Sequence, residues 1–178
     1  LNFRVKNYKS FLEDAMFSME AAPKQKGLDY SLSQFKLKRR TIKGLSSSVL
    51  YGPNASGKTN IIGAMDTMRA IVLRGNIRNA EEKNSLNPAS DVLELIPNNT
   101  LEEALPVEFA ISFIEDQLLI EYELTLDLGA FLEGDYDRRI LREKLSINES
   151  VIFNREDSLI IDNLNVIKKY LPEYMADG

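Results

Sequence analysis

The chain has 178 residues, enough for a domain or a domain and a half. Its 27 acidic side chains outnumber the 22 basic ones, which argues against a protein whose whole surface binds nucleic acid. It contains no cysteine and no histidine, which excludes disulfides, thiol catalysis and the usual zinc ligands. No membrane-spanning apolar stretch and no secretion signal is visible, so we expect a cytoplasmic protein without membrane contact.

The N-terminal segment alternates apolar residues at positions 1, 3 and 5 with polar ones at 2, 4 and 6, as a half-buried strand does. A turn over residues 7–11 should bring Lys9 and Ser10 close to whatever this strand borders. A second strand is predicted over residues 15–20. The weak pattern of residues 23–36 predicts a polar connection.

A basic run follows, formed by Lys36, Lys38, Arg39, Arg40 and Lys43. We favour a solvated strand or loop, with a contact to a nucleic-acid backbone as the alternative. Replacing Arg39 and Arg40 by Ala and measuring the salt dependence of DNA binding distinguishes the two, since a backbone contact requires the slope to change.

The strongest chemical signal is a glycine-rich loop that matches G-x-x-x-x-G-K-[ST] at every fixed position. Its residues are Gly52, Pro53, Asn54, Ala55, Ser56, Gly57, Lys58 and Thr59. Backbone N–H groups from about residue 54 to Asn60 can surround a triphosphate, because glycine lets the backbone approach it. Lys58 then reaches the β and γ phosphates, and the Thr59 hydroxyl holds Mg²⁺. The loop predicts a Walker A site.

Both flanks suit such a loop. Residues 46–51 end in three apolar side chains and predict a short strand buried in a parallel sheet. After the loop, apolar side chains at positions 61, 65, 68 and 72 recur at helical spacing until Gly75. The positive end of this helix dipole would favour a bound anion.

The remaining chain changes character twice. Residues 75–100 are rich in Asn, Ser and Pro and predict a long, partly mobile excursion. Apolar and polar residues then alternate, and residues 115–117 can turn the chain, so we predict an antiparallel meander. Its expected strands are residues 107–113, 120–126, 141–147 and 151–153. Residues 163–170 are weakly helical.

A meander after the loop helix separates this chain from small-molecule kinases and Ras-like proteins, which continue into a mostly parallel sheet. The order resembles the first lobe of ABC-class ATPase heads. The segments VKNYKSF, residues 5–11, and LYGPNASGKTN, residues 50–60, make the chain similar to the N-terminal half of the SMC/RecF/OLD group. Within that group it looks most like bacterial AAA family ATPases linked to phage defence or abortive infection.

This resemblance implies an α/β fold, in which a P-loop NTPase core of the ABC-ATPase type adjoins an antiparallel β subdomain. It also implies ATP and Mg²⁺ as cofactors, a homodimer formed through the ATPase heads, and action on DNA or an effector protein. Lys9 corresponds to a basic residue that contacts nucleotide phosphate in the group, and Asn54 would lie beside the terminal phosphates. Ala55 stands where many relatives have glycine, so the loop would be strained if that position needs a positive φ.

Two expected motifs are not evident: an apolar strand ending Asp-Glu and a Ser-Gly-Gly-type motif. Residues 159–163 imitate the first, but they end in an amide, so we predict an edge strand there. Gln117 falls in a predicted turn, which argues against a magnesium-sensing role. The catalytic residues are therefore not identified.

We expect the chain to be the N-terminal half of such a head. Alone, its 178 residues should bind ATP weakly or not at all and hydrolyse it negligibly. The expected layout is strands, loop and helix in residues 1–75, an excursion in 76–104, a β meander in 105–162 and a helical tail in 163–178.

Two alternatives to the ATPase head stay open. One is a P-loop phosphotransferase with a β insertion, which would transfer phosphate to a small acceptor. The other is an interaction module whose loop only binds, in which case Lys58→Ala would leave activity unchanged. For the adenine ring, Tyr8, Phe11 and Tyr30 are stacking candidates without a spacing argument.

Overall fold

The computed structural model describes residues 1–22, 27, 29–37, 40–78, 93–131, 133 and 136–171. Over these residues the fold is mixed α/β and mainly antiparallel. Its strands are β1 (Asn2–Lys6), β2 (Ala15–Ser18), β3 (Leu32–Lys36), β4 (Thr41–Leu45), β5 (Val107–Glu115), β6 (Leu118–Asp127), β7 (Arg139–Ile147), β8 (Ser150–Arg155) and β9 (Leu159–Ile161). The α-helix is α1 (Lys58–Arg74), and short 3-10 helices cover Asp29–Ser31, Leu164–Val166 and Lys168–Tyr170.

Seven strands form one sheet in the order β2-β1-β5-β6-β7-β8-β9, and every neighbouring pair is antiparallel. Strands β3 and β4 form a separate hairpin. The N-terminal strand thus lies inside the sheet, where Val5 pairs with Phe109 of the meander. This long-range pairing places the turn after β1 beside α1.

The core lies between one face of this sheet and α1. Alternation along β1 and β5 sends Phe3, Val5 and Phe109 inward, because successive strand residues point to opposite faces. The ring of Tyr8 meets Phe109 edge to face, with 5.3 Å between ring centroids. On α1 the buried residues are Ile61, Ala64, Thr67, Met68 and Ile71.

The predicted meander is confirmed. Strands β5 and β6 pair from Val107↔Leu126 to Glu115↔Leu118, and Asp116 and Gln117 close the hairpin with positive φ values. Strands β7 and β8 are the predicted third and fourth strands. The predicted edge strand is also confirmed, since β9 is exposed and pairs with β8 at the end of the sheet.

The strand predicted over residues 46–51 is wrong. These residues follow β4 as irregular chain, and the side chains of Val49, Leu50 and Tyr51 are 79%, 44% and 90% exposed. Within the described residues no strand pairs with this segment, and an apolar run becomes a buried strand only where a neighbouring strand and a covering layer exist. The expected parallel sheet is likewise not found in the described part of the chain, whose paired strands are all antiparallel.

Smaller differences concern segments whose pattern was weak. The polar connection contains β3, which β4 pairs along its whole length. The helix is confirmed from Lys58 to its stop at Gly75, but Val72 is exposed, because the buried face follows Ala64 and Ile71. The helical stretch at 163–170 consists of two 3-10 turns.

Some predicted features lie outside the described residues. These include residues 23–26 and 28 of the polar connection, residues 38 and 39 of the basic run, residues 79–92 of the excursion and residues 172–178 of the tail. Among the helices that the structure describes, none combines the length and apolar character needed to span a membrane.

Candidate functional site

The glycine-rich loop forms a tight bend that leads directly into α1. Ala55 and Gly57 have φ values of 64° and 86°, and Gly57 is the N-cap of the helix. The N–H of Ser56 donates to the carbonyl of Pro53 at 3.4 Å. A Cβ atom on Gly52 would lie 3.0 Å from the Ser56 hydroxyl oxygen, so the two ends of the loop are close together. The backbone therefore curls closely on itself before the helix begins.

The N-terminus of α1 is open to an anion. No side chain caps it and its first turn contains no acidic residue. The N–H of Asn60, one of the predicted phosphate donors, already donates to the Gly57 carbonyl at 2.9 Å. The N–H groups that begin a helix generally have no acceptor within it, and the helix dipole adds partial positive charge there. Asn54, Ser56 and Thr59 are exposed around this end. This arrangement suits a phosphate group.

The Lys58 ammonium lies across the loop. Its Nζ donates to the carbonyl oxygens of Gly52 and Pro53 at 2.8 and 2.6 Å, and lies 3.5 Å from the Ser56 hydroxyl. The acceptors around this charge are neutral. A phosphate oxygen would be the stronger partner, because it adds the attraction between two opposite charges to the hydrogen bond.

The turn after β1 packs directly against the loop. Asn60 of α1 donates from Nδ2 to the Ser10 hydroxyl oxygen at 2.7 Å. A Cβ atom on Gly57 would lie 3.0 Å from the same oxygen and 3.3 Å from the Phe11 ring. The expectation that the turn brings a hydroxyl close to a neighbouring element is met by Ser10, and that neighbour is α1 at the end of the glycine-rich loop.

Lys9 points elsewhere. Its ammonium forms an ion pair with Glu94 and lies 5.5 Å from the centroid of the Tyr8 ring. It is 3.5 Å from where a Cβ of Gly63 would be, in the second turn of α1. The contact between Lys9 and nucleotide phosphate therefore stays a prediction.

Residues 93–98 support the turn from the other side. The N–H of Lys9 donates to the Ile96 carbonyl at 3.0 Å, and the N–H of Asn98 donates to the Asn7 carbonyl at 3.1 Å. Asn98 also donates from Nδ2 to the Lys9 carbonyl at 2.7 Å. Sequence reasoning missed Glu94 and Asn98 because it treated the whole region as an excursion. Apolar residues at positions 93 and 95, both buried, were the available signal.

Tyr8 anchors the turn to the helix. Its ring is fully buried and its hydroxyl shares a hydrogen bond with the Thr67 hydroxyl at 3.1 Å. Burial raises the pKa of Tyr8 to about 12. A buried ring cannot stack on adenine, so Tyr8 is removed from the stacking candidates. Phe11 contacts the loop at Gly57, whereas Tyr30 is 86% exposed.

The exposed Thr59 hydroxyl at the start of α1 fits a magnesium ion that the protein would hold jointly with a triphosphate. Among the described residues, no group of three or more acidic side chains could hold a metal alone. Asp162 follows the edge strand β9, and its N–H donates to the Ile152 carbonyl at 2.9 Å.

Comparisons with known proteins give one positive finding. Residues 47–166 match the sequence model of a family described as "AAA domain, putative AbiEii toxin, Type IV TA system". The match covers most of the chain and includes the whole glycine-rich loop. No curated protein and no solved structure gives a significant match.

Proposed function

The chain belongs to the AAA-domain family whose description names the AbiEii toxin, and from this premise we propose that it binds Mg-ATP through residues 52–59 as the N-terminal lobe of an ATPase head. The family supports nucleotide binding and ATPase activity in general. The finer assignment, a Walker A loop in a RecF/SMC/OLD-like head, is supported by the loop sequence and its place at the start of α1.

One observation carries the proposal: the uncapped N-terminus of α1 and the Lys58 ammonium meet at the same bend. Backbone N–H groups and one cation are the donors that a triphosphate requires.

Three loop residues then have a role in binding. Lys58 leaves the carbonyls of Gly52 and Pro53 and pairs with the β and γ phosphates. Thr59 supplies a hydroxyl to Mg²⁺, and Asn54 lies beside the terminal phosphate. The metal would spread the negative charge of the phosphates. The described residues bind and orient the nucleotide, and we assign none of them as catalytic base.

The biological setting follows from the family. We propose that ATP closes two heads into a homodimer and that this closure drives action on DNA or on an effector protein. The family description, with its toxin–antitoxin system, favours a role in phage defence or abortive infection. Because the chain belongs to a family of AAA domains, an ATPase is favoured over a small-molecule phosphotransferase.

Titration with MgATP tests the nucleotide site. Of the two outcomes expected for the chain alone, the proposal commits to weak binding: in NMR spectra of ¹⁵N-labelled protein, the amide signals of Gly52 and Gly57 should shift. Lys58→Ala should abolish these shifts because the loop loses its only ammonium, whereas Lys168→Ala, at an exposed lysine of the last 3-10 helix, should leave them unchanged. Equal shifts in the wild type and Lys58→Ala would contradict the proposal.

A further inference from the structure

The ion pair between Lys9 and Glu94 lies beside the proposed nucleotide site without contacting the loop. The Lys9 side chain is 16% exposed and the Glu94 side chain 52% exposed, so the cation is the more buried partner. Gly63 makes room for the pair: a Cβ atom there would lie 3.1 Å from Glu94 Oε2 and 3.5 Å from Lys9 Nζ. Glycine inside a helix is unfavourable and often marks such a close approach.

The location of the ammonium shows which way it would have to move. Gly63 follows Thr59 by four residues, which is about 6 Å along the helix axis and away from the phosphate end. The backbone of Lys9, by contrast, is adjacent to Ser10, whose hydroxyl oxygen lies at Gly57. Rotation about the bonds of the flexible four-carbon side chain of Lys9 can therefore move its ammonium from beside Gly63 to the loop.

We propose that Glu94 is a positioning residue that withholds the Lys9 ammonium from the nucleotide, so that binding requires Lys9 to exchange this carboxylate for a phosphate oxygen. The inference rests on the proposed function. It adds Glu94 as an anion within the chain that competes with the nucleotide for the Lys9 ammonium. A largely buried cation needs a counter-charge, and the flank of α1 at Gly63 lies about 6 Å along the helix from the phosphate end, so the ammonium can serve only one of the two anions at a time.

The backbone around the pair suits such an exchange. The turn of residues 7–11 is held by the segment 93–98 through main-chain bonds and Asn98, not through the ion pair. Tyr8 is held by Thr67. Removing the carboxylate of Glu94 therefore leaves the main supports of Lys9 in place and changes only where its ammonium can go.

The test compares dissociation constants for MgATP by NMR titration of the full chain. We expect Glu94→Gln to bind about two- to fivefold more tightly, the range for an ion pair of this exposure. Lys9→Met should bind more weakly, and adding Glu94→Gln to Lys9→Met should change nothing further. Asp66→Asn, which removes an exposed carboxylate on α1, controls for loss of negative charge alone.

The outcomes separate this inference from the function on which it rests. Damage to the fold would weaken binding, so tighter binding in Glu94→Gln that requires Lys9 supports the exchange. Unchanged or weaker binding in Glu94→Gln, or an equal gain in the Lys9→Met background or in Asp66→Asn, overturns the exchange while leaving the nucleotide site intact. Absence of MgATP binding in the wild type and in every variant overturns both.

Discussion

Asn60 and Ser10, fifty positions apart in the chain, are joined by a hydrogen bond of 2.7 Å between the amide Nδ2 and the hydroxyl oxygen. The bond ties the first turn of α1 to the turn that follows β1. Because the Ser10 hydroxyl also lies close to Gly57, the N-cap of the helix, the bond holds the turn against the loop that we propose as the nucleotide site.

A double-mutant cycle tests this connection. Ser10→Ala and Asn60→Ala should each lower the free energy of unfolding by about 1 kcal/mol, because each removes the same hydrogen bond. The double variant should lose less than the sum, with a coupling of at least ~0.5 kcal/mol. Urea unfolding measures all four proteins. Strictly additive losses would show that the two side chains act independently.

The left-handed conformation and crowding of Gly57 predict a large cost for a side chain there. Gly57→Ala should destabilise the protein by more than Gly75→Ala, although both residues have positive φ. At Gly75 a Cβ meets nothing within 4 Å, so only the backbone strain of about 1–2 kcal/mol remains. At Gly57 it would also press on Ser10 and Phe11. Urea unfolding of both variants provides the comparison. Equal losses in the free energy of unfolding would mean that the turn of residues 7–11 moves aside without cost.

Ala55 combines a positive φ of 64° with a Cβ, so its replacement by glycine should relieve strain. We expect Ala55→Gly to leave the free energy of unfolding equal or up to ~1 kcal/mol higher, after the entropy of the unfolded chain is included. Ala110→Gly in β5, at an ordinary strand position, should lower it. Thermal or urea unfolding measures the change in the free energy of unfolding for each variant. A decrease in Ala55→Gly as large as in Ala110→Gly would argue against a strained loop.

Tyr8 should make stability depend on alkaline pH. Its pKa is raised from 10.0 to about 12 by burial, so the folded state holds the phenol proton more tightly than the unfolded state. The stabilisation is complete below pH 10 and is lost as the pH rises toward 12, by about 3 kcal/mol in total. Tyr8→Phe should be less stable at pH 8, where it lacks the hydrogen bond to Thr67, but should show a shallower decline.

Denaturant titrations of both proteins between pH 8 and 12 measure this difference. Tyr122 also has a raised pKa, because it is buried beside Glu143, but it is common to both proteins and cancels. Parallel stability curves for the wild type and Tyr8→Phe would contradict the assignment of this titration to Tyr8.

Local patterns in the sequence predicted much of the sheet. Alternation identified β5 to β8, and the polar pair Asp116 and Gln117 marked their first turn, because a half-buried strand and its hairpin are defined by neighbours in the chain. The same reasoning failed for Val49 and Leu50, since an apolar run is equally compatible with burial and with exposure when its partner is unknown.

The candidate site divides in the same way. The glycine-rich loop could be located because the chemistry proposed for it needs consecutive residues in a fixed order. Glu94 and Asn98 could not, because their importance comes from contacts with a turn some ninety positions earlier in the chain. Lys9 was singled out through the family resemblance, but its ion pair with Glu94 was not predicted.

The sequence by itself determined the position of the glycine-rich loop, the start and end of α1, and the alternation that makes the meander a two-faced sheet. These depend on backbone propensities and on spacings of a few residues. Only the tertiary structure decided that β1 enters the sheet beside β5, that Ser10 lies against Gly57, and that Lys9 faces Glu94. Contacts between distant segments are selected by packing of the whole core, and no short stretch of sequence carries that information.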